Sequence, residues 1–297
     1  MFLVLGNATV DESMTVEAWP SPGQTVVVGP PRRDLGGKGA NQALVLGRTG
    51  APVRFVAAIG RDAEGDWIAA RLAAEGLPES DLLRVEAATD RSMIFVNGAG
   101  ENAIASTTAA ACSIEPAMAA ACVARLGPGD GLLMQGNLTL AATRAAFAAA
   151  RQTGVRTVFN PSPVQPGFAD LFALVDLLVL NEGEAAAFGG AGAPEEAAQA
   201  LRRAGAGTVV LTLGGRGAVL ADDAGADHVP ARPVPVVDTT GAGDTFMGVL
   251  AAAVLHRGLP LRAAVAAAGA AAALTVQRQG TVSAFPSGEE IAGLLPG

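Results

Sequence analysis

The chain has 297 residues, of which 50% are apolar and 4% aromatic, and its formal net charge is −8. That balance excludes a nucleic-acid groove, which needs a concentrated basic face. The longest uncharged apolar run, residues 263–276, is too short to span a bilayer. Cys112 and Cys122 are too few and too far apart for a metal knuckle or a redox pair, and read as reduced, buried thiols. The first residues carry no positive segment of a signal peptide, so the expected compartment is the cytoplasm.

Short apolar runs that end in glycine or a polar residue recur along the chain. They are "FLVLGN", "VRFVAAIG", "GLLMQGN", "VRTVFNPSP", "LLVLNEGE" and "TVVLTLGG". Runs of this length fit strands buried on both faces. Alanine-rich helical stretches at 62–75, 139–153 and 194–204 lie between them. Strand and helix in alternation predict right-handed crossovers and a mostly parallel sheet with helices on both sides. Ligands bind such folds at the carboxyl ends of the strands. The polar residues there are Asn7, Gln135, Asn137, Asn160, and those of 181–184 and 212–215.

Two segments break this alternation. Residues 11–35 carry "SMTVEAW", a proline-rich turn and "QTVVVG", and residues 91–108 carry two apolar runs around an Asn-Gly turn. Both read as hairpin pieces, which together form a small sheet of four or five strands over the ligand edge. The large α/β domain is then 1–10, 36–90 and 109–297, with 11–35 and 91–108 as lid segments. From Asp244 to Val276 the helix signal is nearly continuous, broken at Arg257-Gly258-Leu259-Pro260.

Two glycine clusters carry chemistry. In "VVDTTGAGDTFMG" a strand-like run, a tight turn and a helix place the amides of Gly241, Ala242 and Gly243 at a helix N-terminus, where they stabilise an anion. A dinucleotide fingerprint fails because Phe246 replaces its third glycine, and a phosphate loop fails for want of a lysine. Asp244 fits a general base that accepts the proton of an attacking hydroxyl. It fits equally a plain helix cap. In "DLGGKGANQA", Gly37 permits close backbone approach, and Lys38 and Asn41 suit sugar hydroxyls; a turn before a helix explains the same residues.

Together with "NEGE", "IFVNGAGEN", "LLMQ", "NPSP" and "TLGGRG", these clusters resemble the ribokinase-like, PfkB-type carbohydrate kinases over essentially the whole chain. The resemblance implies an α/β, three-layer Rossmann-like sandwich with a small β-sheet lid that often joins a homodimer. It implies ATP-dependent phosphorylation of a primary hydroxyl of a small sugar, first D-ribose to ribose 5-phosphate. The alternative within the family is a nucleoside, another sugar or a sugar phosphate. An NAD-dependent oxidoreductase is the reading from another class, and it rests only on the broken fingerprint.

By the same resemblance Asp244 matches the base, and Gly241, Ala242 and Gly243 match the anion hole. Asp11, Gly37, Lys38 and Asn41 match sugar-site positions. Asn181 and Glu184 match a pair that organises phosphates and hydrated Mg2+; a helix cap and first-turn acid explain the same two residues. Thr212 and Gly214 match positions touching ATP phosphates. Asp238 and the carbonyls of Thr240, Thr275 and Gly280 match a K+ site. The chain departs from the pattern at four places. Thr9 and Asn137 replace a sugar-contacting asparagine and glutamate, Ala284 replaces a serine by the cation loop, and Gly269 replaces a bulkier residue near the adenine pocket. His228, His256, Trp19 and Trp67 read as surface or packing residues.

Overall fold

The computed structural model describes residues 1–98, 102–190 and 192–295. The first part of the chain forms β1 (Phe2–Gly6), β2 (Thr9–Thr15), β3 (Arg32–Gly36), α1 (Lys38–Arg48), β4 (Val53–Gly60), α2 (Ala63–Ala74) and β5 (Leu82–Val85). Then come β6 (Arg91–Val96), β7 (Asn102–Ser106), α3 (Pro116–Val123), β8 (Gly131–Gln135), α4 (Leu140–Thr153) and β9 (Arg156–Asn160). The remainder gives β10 (Leu177–Asn181), α5 (Glu182–Ala187), α6 (Pro194–Arg203), β11 (Thr208–Thr212), β12 (Ala218–Asp222) and β13 (Gly225–Val229). The chain ends in α7 (Ala242–Ala251), α8 (Leu261–Thr275) and α9 (Gly288–Leu294). A π-turn at Ala252–His256 closes α7, so the helix signal breaks where Gly258 and Pro260 predict.

Among the described residues the larger sheet runs β13-β12-β11-β10-β9-β8-β1-β4-β5. It is parallel from β11 to β5, with β12 and β13 antiparallel at one edge. All six apolar runs become strands of this sheet. They alternate between two cores, as a strand covered on both faces must. Phe2 and Val4 of β1 pack with Leu133, Val179 and helices α1, α7 and α8, whereas Leu3 and Leu5 pack with Met134, Phe159 and helices α4 and α6. Each such buried leucine or valine stabilises the fold by about 1.5–3 kcal/mol. Helix, sheet and helix are the three layers expected.

The two segments that break the alternation do meet, in a four-stranded sheet ordered β3-β2-β6-β7. β2 pairs antiparallel with β3 but parallel with β6, from Val10↔Arg91 to Thr15↔Val96. One expectation within it is corrected: "QTVVVG" is not a strand. Val27 is 96% exposed, and the pairing falls instead to Arg32–Gly36, whose Leu35 is buried. An isolated apolar run with nothing to cover it gains nothing from pairing. Residues 99–101, which follow the Asn-Gly pair between β6 and β7, lie outside the described residues. The cysteines also depart from expectation, since Cys112 is exposed and Cys122 half-buried. No described helix is long and apolar enough to cross a membrane.

Candidate functional site

α7 begins at the second glycine cluster. Its N-cap is Gly241, at φ 76°, a left-handed conformation that glycine adopts without strain. A β-carbon there would also stand 2.6 Å from the Phe285 ring. Having no side chain, Gly241 cannot cap; the Ala242 amide donates to the Thr239 carbonyl at 3.3 Å, and the Gly243 amide has no partner within the helix. The strand expected before this turn is absent. Val236 and Val237 are exposed, and the segment is tied instead to the end of α8, through amides of Val237 and Asp238 on the Val276 carbonyl.

Asp244 is the third residue of α7, and it does not cap the helix. It is 6% exposed, and its side chain turns toward α1. Asn41 Nδ2 donates to its Oδ2 at 2.9 Å, and Gln42 Nε2 to its Oδ1 at 2.9 Å. A buried carboxylate needs such donors. The helix-cap alternative for Asp244 is thereby removed, because its oxygens accept from neighbours in space rather than from its own helix.

The first glycine cluster faces β2. Gly37 is the N-cap of α1 at φ 92°, and a β-carbon on it would meet the Ala8 backbone at 2.8 Å. Gly36 leaves room for the Asp11 carboxylate, which lies about where its β-carbon would be. Thr9, fully buried, donates its hydroxyl to Asp11 Oδ1 at 2.6 Å. Burial pushes the Asp11 carboxyl up to about 6, against hydrogen bonds from Thr9 and Ser92, and the charges of Asp34 and Asp244 add to the rise. Lys38 opens α1 and makes no ion pair with a described residue.

A cleft of about 400 Å³ opens between the small sheet and the loops flanking α7 and α8. Asp11, Arg33, Asp34, Asp238, Thr240 and Gly280 are among its lining residues. Asp238 draws two loops together, accepting the Thr240 amide on Oδ1 at 2.9 Å and the Gly280 amide on Oδ2 at 3.1 Å. Thr275 fastens α8 to α7 through its hydroxyl, 2.8 Å from that of Thr245, and its carbonyl accepts the Arg278 amide. This cluster offers hard oxygen ligands, which suit a monovalent cation; Ala284, fully buried, adds no hydroxyl.

A second group sits farther along the sheet edge. Asn181 and Thr212 are direct neighbours at the ends of β10 and β11. Asn181 and Glu184 form a reciprocal capping box: Asn181 Oδ1 accepts the Glu184 amide and Glu184 Oε2 accepts the Asn181 amide, each at 2.9 Å. The other Glu184 oxygen has no partner among the described residues, so the carboxylate still fits a hydrated divalent ion. Gly214 begins a tight turn with positive φ, and Thr212 bonds back to the Leu180 carbonyl. β10 lies two strand spacings, about 10 Å, from β8. No described contact joins this group to Asp244.

Three buried side-chain oxygens, Asn41 Oδ1, Gln135 Oε1 and Asn137 Oδ1, have no hydrogen-bond partner among the described residues. Asn41 touches Asp244 directly and Gln135 reaches it through Gln42, whereas Asn137 follows the end of β8. Gln42, which holds Asp244, did not stand out in the sequence. Adjacent helical residues point about 100° apart, so a reading that aims Asn41 at a ligand turns Gln42 away. Trp67 has a role beyond packing, because the Arg33 guanidinium of the small sheet lies 4.4 Å from its ring centre.

The chain is similar along its length to proteins of known activity. A ribokinase from Staphylococcus aureus is 32% identical, and the match covers 97% of each chain. A bifunctional ribokinase/ribose-5-phosphate isomerase A from Fructilactobacillus sanfranciscensis is 31% identical over 99% of this chain, which spans only 56% of that longer protein. The structure of Arabidopsis thaliana ribokinase complexed with ribose and ATP superposes with a TM-score of 0.87 at 27% identity, covering 99% of this chain and 98% of that one. The family model of the pfkB family carbohydrate kinases matches residues 1–287, and with a match of that extent the chain belongs to this family.

Proposed function

We propose that the protein transfers the γ-phosphoryl group of ATP to a primary hydroxyl of a small sugar, with ribose as its first substrate. The observation that carries this is Asp244, held by two amide donors beneath an uncapped helix start. The sugar oxygen bonds to phosphorus as the bond to ADP breaks, and the hydroxyl proton passes to Asp244. Amides of Gly241, Ala242 and Gly243 stabilise charge on the migrating group. Asp11, Gly37, Lys38 and Asn41 orient the sugar, and the unpaired oxygens of Asn41 and Asn137 accept its hydroxyl protons. Asn181, Glu184, Thr212 and Gly214 hold the nucleotide, with Glu184 reaching Mg2+ through water. Asp238 with the carbonyls of Thr240, Thr275 and Gly280 would hold K+, which adds positive potential behind the turn.

A second sugar or a nucleoside is favoured by Thr9, whose hydroxyl is already given to Asp11, and by Asn137. ADP release with pentoses, hexoses, sugar phosphates and nucleosides decides between them. Ribose ranking near the bottom removes the first choice, and no turnover with any of them removes the kinase reading. Exposed Met93 and Ile104 on the small sheet support a homodimer through the lid. A monomer in sedimentation at micromolar protein removes that part. ATP dependence also points to the cytoplasm, which cell fractionation tests.

A further inference from the structure

Gln42 and Gln135 are both fully buried, and neither takes part in the reaction as written above. Gln42 Nε2 donates to Asp244 Oδ1 at 2.9 Å, and more weakly to Asn160 Oδ1 at 3.4 Å. Its Oε1 accepts from Gln135 Nε2 at 2.8 Å. Gln135 Oε1, packed over Gly6, has no partner among the described residues. A buried amide oxygen left unpaired is unfavourable, so this arrangement needs a reason.

The reason is the direction of donation. An ionised carboxylate only accepts, so Gln42 must face Asp244 with its nitrogen. Turning Gln42 over would set oxygen against oxygen at Asp244 and nitrogen against nitrogen at Gln135. Turning Gln135 over would set two amide oxygens together. The unpaired Gln135 oxygen is the consequence of sending every donor one way, from Gln135 to Gln42 to Asp244.

We propose that Gln42 is a positioning residue for the Asp244 base, and that Gln135 sets the orientation of the Gln42 amide. The proposal rests on the reading of Asp244 as the base. Asn41 holds Oδ2 while Gln42 holds Oδ1, so both oxygens are pinned and the plane of the carboxylate is fixed. A neutral amide steadies the carboxylate without competing for the substrate's proton. The geometry depends on α1 and α7 crossing closely one turn farther on. There a β-carbon on Gly248 would stand 2.9 Å from the Val45 side chain.

The test uses Gln42→Met, Gln135→Met and the double variant, with kcat, sugar KM and melting temperature measured on each. Methionine keeps the length of glutamine and its helix propensity but donates no hydrogen bond. Gln42→Met should lower kcat about tenfold with KM changed less than about twofold, the split expected of an interaction that matters in the transition state. Gln135→Met should lower kcat about threefold, and the double variant should be no slower than Gln42→Met, because the two act through one path. Packing losses alone would add in the melting temperatures without producing that pattern in kcat. Unchanged kcat in Gln42→Met, or losses that multiply in the double variant, overturns the proposal. Should Gln42→Met fail to fold, Gln42→Leu fills much of the same volume and likewise donates nothing; turnover near that of the unaltered protein overturns the proposal equally. Asp244→Asn separates the two readings. If it abolishes turnover while Gln42→Met does not, only the positioning role falls. If it retains turnover, the base reading falls and takes this one with it.

Discussion

The starts of α5 and α7 have the same outline and opposite uses. Each begins directly after a turn or strand end, and each has an acid at the third helical position, Glu184 in one and Asp244 in the other. At α5 the N-cap is Asn181, whose side chain takes the Glu184 amide while Glu184 returns to the Asn181 amide. The acid closes its own helix end, and the pair lies near solvent. At α7 the N-cap is Gly241, which has nothing to offer, and the acid turns inward to amides of another helix. An acid at the third position is therefore defined by two things outside itself: the side chain at the N-cap, and what packs across from it. With glycine at the N-cap the Gly243 amide has no side-chain partner from the cap, and the acid faces another helix instead of its own.

The largest expected effect comes from erasing the inward acid. Asp244→Asn should lower kcat by about 10²–10⁴-fold, the range of general-base catalysis. The loss of fold stability should be only about 1 kcal/mol, because one of the two amide donors loses its acceptor. ADP release and a thermal melt on the same preparation check both numbers. Next comes giving the open turn a side chain. Gly241→Ala introduces left-handed strain of about 1–2 kcal/mol and presses on the Phe285 ring. With the amides displaced, kcat should fall about 10²-fold, as when one oxyanion donor is removed. A Gly241→Ala protein with normal turnover would mean that the amides of this turn do not meet the transferred group.

At α5 the contrast can be sharpened with a gentler change. Glu184→Gln preserves the capping box, since an amide oxygen also accepts the Asn181 amide. Its melting temperature should hold, while KM for ATP with Mg2+ should rise about tenfold if the open carboxylate oxygen works through the ion's water. Asn181→Ala, by contrast, should cost about 1 kcal/mol of stability through the lost cap. Equal ATP kinetics in Glu184→Gln and the unaltered protein would leave Glu184 with the capping role alone.

Most of the large sheet was legible because its strands are covered on both faces and so read as unbroken apolar runs. The edge strands β12 and β13 lacked that signature. "GADHV" shows mostly exposed residues and is a strand only because β12 is beside it. The small sheet was legible as two segments, but not in its pairing. The parallel contact of β2 with β6 depends on where the large domain delivers each strand. "QTVVVG" and Val236-Val237 misled for one reason: they are apolar, yet nothing in the fold covers them. Of the candidate site, the left-handed turn glycines and the helical position of Asp244 were legible because backbone conformation and helix position are local. Gln42 was not, because its partner is brought to it only by the crossing of α1 and α7.

Asp11 gives the smallest effect, and one whose sign differs from that of an ordinary salt-bridged acid. Its carboxyl is raised by burial from the usual range to about 6, so the folded protein prefers the protonated form more than the unfolded chain does. The stability it contributes is fully present below the unfolded value, 3.8, and is lost as pH rises through about 6. Asp11→Asn removes this dependence and should stabilise the protein by about 1–2 kcal/mol at pH 8 relative to the unaltered chain, with little gain at pH 4. Binding has the opposite slope. A carboxylate accepts sugar hydroxyls on both oxygens, whereas the protonated acid gives up part of that capacity. Sugar KM should therefore rise a fewfold, about threefold, as pH falls from 7 to 5, while Asp11→Asn shows a higher KM that is flat across the same window. The two measurements should pull against each other at the same residue if this buried acid serves a ligand rather than the fold. At the third position of α7 the acid is held by amides before any substrate arrives. In β2 Asp11 has the hydroxyls of Thr9 and Ser92 and two repelling carboxylates, Asp34 and Asp244. A sugar KM that ignores pH between 5 and 7 would move Asp11 out of the binding site and leave it as a strained member of the small sheet.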